Sequence, residues 1–236
     1  MAFPLVMLSP FPFDSRVFAG LRAEIPGIHT PDLHADGDPS LDALADQTIA
    51  ALDAAGLDRA LIGGVSMGGY VVLNLLRRHP ERLAGVILID TKASADTEEA
   101  KANRHAVADR ADRGIRPDAA ELLKGMLSPR TFADRPAVVD TLTSIIDAQP
   151  IAEIGWKQRA MAGRPDSVDV LSGTDLPVLI IVGADDLITP PGGSRAMAAA
   201  AGQSTVVEIP ATGHLAVAED PVAVAAAVAS WLRTYG

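Results

Sequence analysis

The stretch that most constrains this chain is Gly64-Val65-Ser66-Met67-Gly68-Gly69, a serine framed by glycines. An apolar run at 59–63 precedes it, and a run with helical spacing at 70–76 follows it. This order predicts a strand, a sharp turn at Ser66 and a helix, in which glycines allow a close approach of the backbone. The turn would expose the Ser66 hydroxyl at a helix N-terminus, where the N–H of Met67 can stabilise a developing oxyanion. The alternative is that Ser66 only caps the helix.

Strand and helix signals alternate along most of the chain. Helical patterns separate the apolar runs, which indicates a mostly parallel central sheet with helices on both faces, an α/β fold. The runs that predict strands are 3–8, 59–63, 83–89, 176–183 and 205–209, with a weaker one at 24–30.

The pattern changes between residues 93 and 173, where strand signals disappear. Helical patterns at 95–113, 119–126, 137–149 and 151–161 replace them, and prolines separate these patterns. The size of this helical insertion suits a lid over a site. The alternative is a set of additional surface helices.

A serine hydroxyl needs a base to become a nucleophile, and the base needs a carboxylate to orient it. In parallel sheets such groups belong at the carboxyl ends of strands. Ser66 follows one predicted strand, Asp185 and Asp186 follow another, and His214 follows the last. Asp90 also ends a strand and is an alternative acid. The other candidates for the base are the four remaining histidines, His29, His34, His79 and His105.

Four segments together resemble the α/β-hydrolase fold family. Gly64–Tyr70 is similar to its nucleophile elbow, 182–191 to its acid loop, 213–216 to its histidine loop, and 11–14 to the loop after its first central strand. The resemblance implies that Asp186, three residues after the glycine of the acid loop, is the acid. It also implies a core at 1–92 and 174–236 and a helical cap (lid) at 93–173.

The sequence departs from the family at two places. Ser9-Pro10 stands where the family's first loop usually has His-Gly, so the first oxyanion donor by analogy is the backbone N–H of Phe11, with Met67 as the second. We expect the antiparallel strand pair that usually precedes this loop in the family to be missing. Because proline lacks an N–H, Phe11 is the one backbone donor between Pro10 and Pro12.

The resemblance implies a serine hydrolase that cleaves a small or medium carboxylic ester or lactone through an acyl-enzyme, a carboxylesterase-like activity (EC 3.1.1.-). Hydrolysis of an amide, a thioester or a carbon–carbon bond uses the same residues and stays open, as does a non-catalytic ligand-binding protein. The substrate pocket is expected between core and cap, and its predicted lining is Phe13, Met126, Leu127, Phe132 and Trp156.

Composition restricts the possible partners of the 236-residue chain. A net charge of −10 argues against a nucleic-acid partner, and the family resemblance implies a small-molecule substrate. The chain has no cysteine, which excludes disulfides, thiolate nucleophiles and cysteine metal sites and favours a cytoplasmic location. No histidine or carboxylate cluster has the spacing of metal ligands, so we expect no metal and no other cofactor. We also expect no signal peptide and no membrane span. The sequence does not indicate the oligomeric state.

Overall fold

The structure is a computed structural model that describes residues 3–235, so residues 1, 2 and 236 of the predicted core lie outside it. Within that range five strands form one sheet, and all neighbouring strands pair in parallel. Their order in the sheet is the same as their order in the chain. The strands are β1 (Leu5–Leu8), β2 (Ala60–Val65), β3 (Leu83–Ile89), β4 (Val178–Gly183) and β5 (Ser204–Ile209).

Helices make up most of the remaining described chain. They are α1 (Ala19–Glu24), α2 (Leu41–Ala54), α3 (Met67–Arg78), α4 (Glu98–Asp112), α5 (Ala119–Met126), α6 (Pro129–Asp134), α7 (Pro136–Asp147), α8 (Ile151–Ala162), α9 (Val168–Ser172), α10 (Pro191–Ala200), α11 (Ala216–Glu219) and α12 (Pro221–Tyr235). Short 3₁₀ turns lie at Ser15–Phe18 and Pro80–Arg82. None of the helices in residues 3–235 combines the length and apolarity needed to cross a membrane.

The strands are apolar on both sides because helices cover both faces of the sheet. In β3, Val86 and Leu88 pack into one hydrophobic cluster, while Ile87 and Ile89 pack into the other. Successive side chains of a strand point to opposite faces, so a strand covered on both faces reads as a continuous apolar run. The predicted α/β fold with a covered parallel sheet is confirmed.

The connections between strands change direction at β1. Helices α2, α3 and α10 connect neighbouring strands in one direction along the sheet and pack on one face, while α1 and α12 pack on the other. Crossovers between parallel strands are right-handed, so the direction of a connection decides on which face of the sheet its helix packs. The connection through α1 runs to the outer edge of β1, and the chain then returns in the opposite direction to β2. The direction of winding therefore reverses at β1. Ligands of open α/β sheets bind at such a reversal, beyond the carboxyl ends of the strands.

The weaker strand predicted at 24–30 does not form. Its first residue still belongs to α1, and Gly27 adopts a left-handed conformation with φ of 86°. The strand is reduced to one parallel bridge between His29 and Val6. Pro26 has no N–H to donate, and the left-handed glycine ends the extended run, so pairing cannot continue.

The segment between β3 and β4 contains six helices, α4 to α9, within the described residues. Four of them lie at the positions predicted from the sequence, and the short helices α6 and α9 were not predicted. Helices α4 and α8 pack closely: a Cβ on Gly155 of α8 would lie 3.3 Å from the Cβ of Ala111 in α4.

Candidate active site

Ser66 lies between β2 and α3 in a conformation that few non-glycine residues adopt, with φ of 51° and ψ of −110°. The surrounding glycines are needed because the backbone segments nearly touch. A Cβ on Gly64 would lie 2.1 Å from the carbonyl carbon of Gly68, and a Cβ on Gly68 would lie 2.2 Å from the carbonyl oxygen of Leu8. Thr91, which follows β3, donates a hydrogen bond of 2.7 Å from its hydroxyl to the carbonyl of Ser66. The turn expected from the sequence is therefore present, with Ser66 only half-buried at its apex.

A chain of hydrogen bonds joins three residues that are far apart in the sequence. The Nε2 atom of His214 lies 2.8 Å from the Oγ of Ser66, and its Nδ1 lies 2.8 Å from the Oδ2 of Asp186. A carboxylate only accepts hydrogen bonds, so Nδ1 carries the proton and Nε2 of the neutral ring accepts from the serine hydroxyl. His214 and Asp186 are buried, at 1% and 2% exposed. The arrangement can therefore remove the Ser66 proton in a site from which solvent is largely excluded.

Both carboxylate oxygens of Asp186 accept hydrogen bonds from neighbouring groups of the protein. The backbone N–H groups of Ile188 and Thr189 donate to Oδ1 at 2.8 and 2.9 Å, and the Thr189 hydroxyl donates to Oδ2 at 2.6 Å. Burial would raise the pKa of Asp186, but the hydrogen bonds from His214 and Thr189 outweigh it and hold the pKa below its usual value. Sequence reasoning missed Thr189. The Asp-x-x-Thr spacing, typical of a turn in which a carboxylate accepts from the following backbone, was the available signal.

The two other carboxylates considered for the acid lie elsewhere. The Asp185 side chain is exposed and makes no hydrogen bond to the described residues. Asp90 is fully buried, and its two oxygens accept from the backbone N–H of Gly183 at 2.8 Å and of Ala216 at 2.9 Å. Asp90 therefore connects the end of β4 to the segment after His214, without a hydrogen bond to the imidazole.

The burial of Asp90 leads to a prediction about stability and pH. Burial raises its pKa to about 7, whereas an aspartate in an unfolded chain has a pKa of about 3.9. Between about pH 4 and pH 7 the folded protein keeps a proton that the unfolded chain has released. We therefore expect the free energy of unfolding to fall by up to about 4 kcal/mol as pH rises through this window, and then to level off. The lowered pKa of Asp186 acts in the opposite sense, below about pH 4.

Urea unfolding of the wild type and of Asp90→Asn at intervals between pH 4.5 and pH 8.5 measures this effect. Asparagine does not titrate, so the Asp90-dependent decrease should be absent from the variant. An identical pH dependence in both proteins would contradict the prediction.

Glu219, at the end of α11, is another buried carboxylate, and sequence reasoning missed it. Its Oε1 accepts from the backbone N–H of Gly213 at 2.8 Å. Its Oε2 accepts from the backbone N–H of Ser128 at 2.9 Å and from the Thr131 hydroxyl at 2.6 Å. Glu219 thus holds the backbone before His214 against the helical segment. No motif marked it, because two of its three partners, Ser128 and Thr131, are more than 80 residues away in the sequence.

The two predicted oxyanion donors are both available for a ligand. Met67 is the first residue of α3, and Phe11 lies in the turn after β1, which the hydrogen bond from Phe13 N to Pro10 O closes at 2.8 Å. The backbone N–H groups of Phe11 and Met67 find no acceptor among residues 3–235, although both residues are buried. Gly68 packs against the Leu8 carbonyl, which brings the start of α3 next to the loop after β1. Unpaired buried N–H groups are rare, so a pair beside Ser66 suggests a bound oxygen atom.

The remaining histidines lie away from Ser66 in the described structure. His29 pairs with β1 at the edge of the sheet, and His105 is exposed on α4. His34 lies 3.8 Å from Glu153, and His79 follows α3 at the opposite end of that helix from Ser66. None of these four hydrogen-bonds to Ser66 or to Asp186.

The five predicted pocket residues lie at different places in the described structure. Phe13, Met126 and Leu127 belong to the hydrophobic cluster on the α12 face, and Phe132 packs against it. Trp156 packs on the other face, where its indole N–H donates to the carbonyl of Gly37 at 2.9 Å. An apolar side chain serves a core as well as a pocket, so composition alone could not place them. The cavity of about 500 Å³ that the Phe11 side chain borders is lined by none of the five.

Comparison with known proteins gives consistent matches. A sequence model of the family described as the alpha/beta hydrolase fold matches residues 29–221. A Mycobacterium tuberculosis protein, provisionally named non-heme bromoperoxidase BpoC, is 30% identical over 197 residues, which are 81% of this chain and 74% of that protein. The 3-oxoadipate enol-lactonase 2 of Acinetobacter baylyi is 28% identical over 196 residues, 83% of this chain and 72% of that enzyme.

Among solved structures, a thermophilic esterase from Thermogutta terrifontis, determined with malate bound, superposes with a TM-score of 0.95. It is 34% identical to this chain, and the match covers 100% of this chain and 91% of the esterase. The similarity therefore extends over the sheet and over the helical segment between β3 and β4.

Proposed function

The chain belongs to the α/β-hydrolase fold family, and on that premise we propose that it is a serine hydrolase that cleaves a carboxylic ester or lactone through an acyl-enzyme. The observation that carries the proposal is the position of His214, which lies 2.8 Å from both Ser66 and Asp186. The similarity to an esterase and to an enol-lactonase supports the same reaction class.

In the proposed mechanism Ser66 Oγ attacks the carbonyl carbon while His214 Nε2 accepts the hydroxyl proton. Asp186 keeps the proton on Nδ1 and stabilises the imidazolium that forms. The N–H groups of Phe11 and Met67 donate to the oxyanion, a contribution worth about 10²–10³ in rate for each donor. His214 then protonates the leaving alcohol. A water molecule, deprotonated by His214, hydrolyses the acyl-enzyme and restores Ser66.

We also propose that residues 93–173 form a cap over this site. Contacts with the histidine loop support this: the backbone N–H of His214 donates to the Met126 carbonyl at 2.6 Å. The Ser128 hydroxyl also donates to the carbonyl of Ala211, which precedes His214, at 3.0 Å. A cap that contacts the base can exclude water when a substrate is bound.

The cytoplasmic location remains a prediction from composition.

A fluorophosphonate probe tests the proposal without knowledge of the natural substrate. The probe should label the wild type at Ser66, as located by peptide mass spectrometry, and should not label Ser66→Ala. A panel of p-nitrophenyl esters and lactones, beside amide, thioester and carbon–carbon bond substrates, then assigns the bond that is cleaved. Absence of both labelling and turnover would indicate a non-catalytic ligand-binding protein. Turnover confined to another bond type would retain the mechanism and reject the ester or lactone.

A further inference from the structure

The cavity beside Phe11 has features of a subsite for part of the substrate. It is a groove of about 500 Å³ between α4, α5 and α8. Apolar side chains form much of its wall, among them Phe11, Val107 and Leu122. Phe11 lines the groove, and its backbone N–H is one of the two proposed oxyanion donors. The groove therefore shares one residue with the proposed oxyanion hole.

A buried amide at the groove has a defined orientation. Gln158 is 8% exposed, and its Oε1 accepts from the guanidinium of Arg104 at 3.2 Å. A guanidinium can only donate, so the amide oxygen must face Arg104 and the NH₂ group must face away from it. The Nε2 of Gln158 donates to none of the described residues, and Gln158 lines the groove. The groove thus contains two hydrogen-bond donors without an acceptor.

Positive charge predominates behind this amide. The carboxylate of Asp96 is shared by three cations, with Lys92 at 2.9 Å, Arg104 at 2.6 Å and Arg164 at 2.8 Å. One carboxylate cannot neutralise three cations, and the cluster is mostly buried, so solvent screens the excess charge only weakly. Arg104 connects this cluster directly to Gln158.

Another cation lies on the wall of the groove itself. Arg110 projects from α4 one turn after Val107 and makes no ion pair with the residues at 3–235. The two carboxylates of the groove have other partners. Asp118 caps α5 by accepting from two backbone N–H groups, and Glu121 pairs with Lys124 at 3.0 Å. Arg110 is therefore available to an anionic ligand.

We propose that this groove binds a carboxylate carried by the substrate, recognised by the Gln158 amide and the Arg110 guanidinium. The substrate class is then an ester or lactone that bears a carboxylate separated from the scissile bond by an apolar chain. This inference rests on the proposed function and adds the specificity of the same site. Arg110 and Gln158 determine specificity, and neither takes part in bond cleavage.

Two esters of equal acyl length test the proposal: p-nitrophenyl hexanoate and mono-p-nitrophenyl adipate. The wild type should hydrolyse the adipate monoester with a kcat/KM about 10-fold higher or more, mainly through a lower KM, because hydrogen bonds to a charged group are worth this much. Arg110→Gln should lower the adipate-to-hexanoate ratio about 10-fold, and Arg110→Glu should reverse the preference. Arg113→Gln removes the same charge outside the groove and should keep the wild-type ratio.

Gln158→Met removes the amide donors at nearly constant size and should also lower the ratio. Its thermal unfolding shows whether the buried replacement is tolerated, and if it is not, the exposed Arg110 variants decide alone. A wild-type ratio near one, or a ratio unaffected by both Arg110 variants, overturns the subsite while ester hydrolysis itself stands. If the wild type hydrolyses neither ester but is labelled by the fluorophosphonate probe, the subsite is overturned and the serine hydrolase stands. If it hydrolyses neither ester and is not labelled, the proposed function fails and the subsite fails with it.

Discussion

Replacing Ser66 by alanine should lower kcat for any ester substrate by about 10⁴–10⁶-fold, because no other described hydroxyl hydrogen-bonds to the Nε2 of His214. The variant should remain folded. Alanine has the same Cβ as serine and meets the same backbone strain at φ of 51°. The hydroxyl that is lost is half-buried rather than part of the core. We therefore expect its free energy of unfolding to change by less than about 1 kcal/mol.

Initial rates with p-nitrophenyl butyrate and urea unfolding of the same preparation measure both parts of this prediction. Ser194→Ala is the matched control, since Ser194 is a buried serine of α10 whose hydroxyl has no partner among the described groups. The control should keep the wild-type kcat. Residual activity of Ser66→Ala within 10-fold of the wild type would show that another group attacks the ester.

Replacing Asp186 by asparagine should lower kcat about 10⁴-fold through the tautomer of His214. Oδ1 of Asp186 accepts from two backbone N–H groups, so the asparagine amide nitrogen cannot occupy that position without facing two donors. The NH₂ group must instead face His214. The imidazole then accepts at Nδ1 and carries its proton on Nε2, where it can no longer take the proton of Ser66.

The pH dependence of the rate, measured beside urea unfolding of the same preparation, distinguishes this explanation from a loss of folding. Asp186→Asn should bind p-nitrophenyl butyrate with a KM close to that of the wild type, while kcat falls across the whole range from pH 6 to pH 9. Asp185→Asn is the control, because the adjacent carboxylate is exposed and makes no side-chain hydrogen bond. Equal losses in the two variants would contradict the assignment of the acid to Asp186.

The local parts of this protein could be predicted from its sequence. In β1 to β5 successive side chains point to opposite faces of the sheet, and both faces are covered. Each strand can therefore be recognised in the sequence as an apolar run of ten residues or fewer. The turn at Ser66 is equally local, since its glycines are required by backbone atoms a few residues away, such as Gly64 against Gly68. Pro26 and Gly27 were a local signal against the weaker strand. The strand was nevertheless predicted, because the residues around them are apolar.

Only the tertiary structure decided which groups meet. Asp90, Asp185 and Asp186 all follow strands, and the sequence ranked them by family resemblance; in the fold, Asp186 alone reaches the Nδ1 of His214. Ser66 and His214 are 148 residues apart. Strand periodicity and glycine turns depend on neighbours in the chain, whereas a hydrogen bond of 2.8 Å across the sheet depends on the register of separate strands and on loops that pack from both sides. The same reason explains why the sequence did not predict the contact of Gln158 with Arg104.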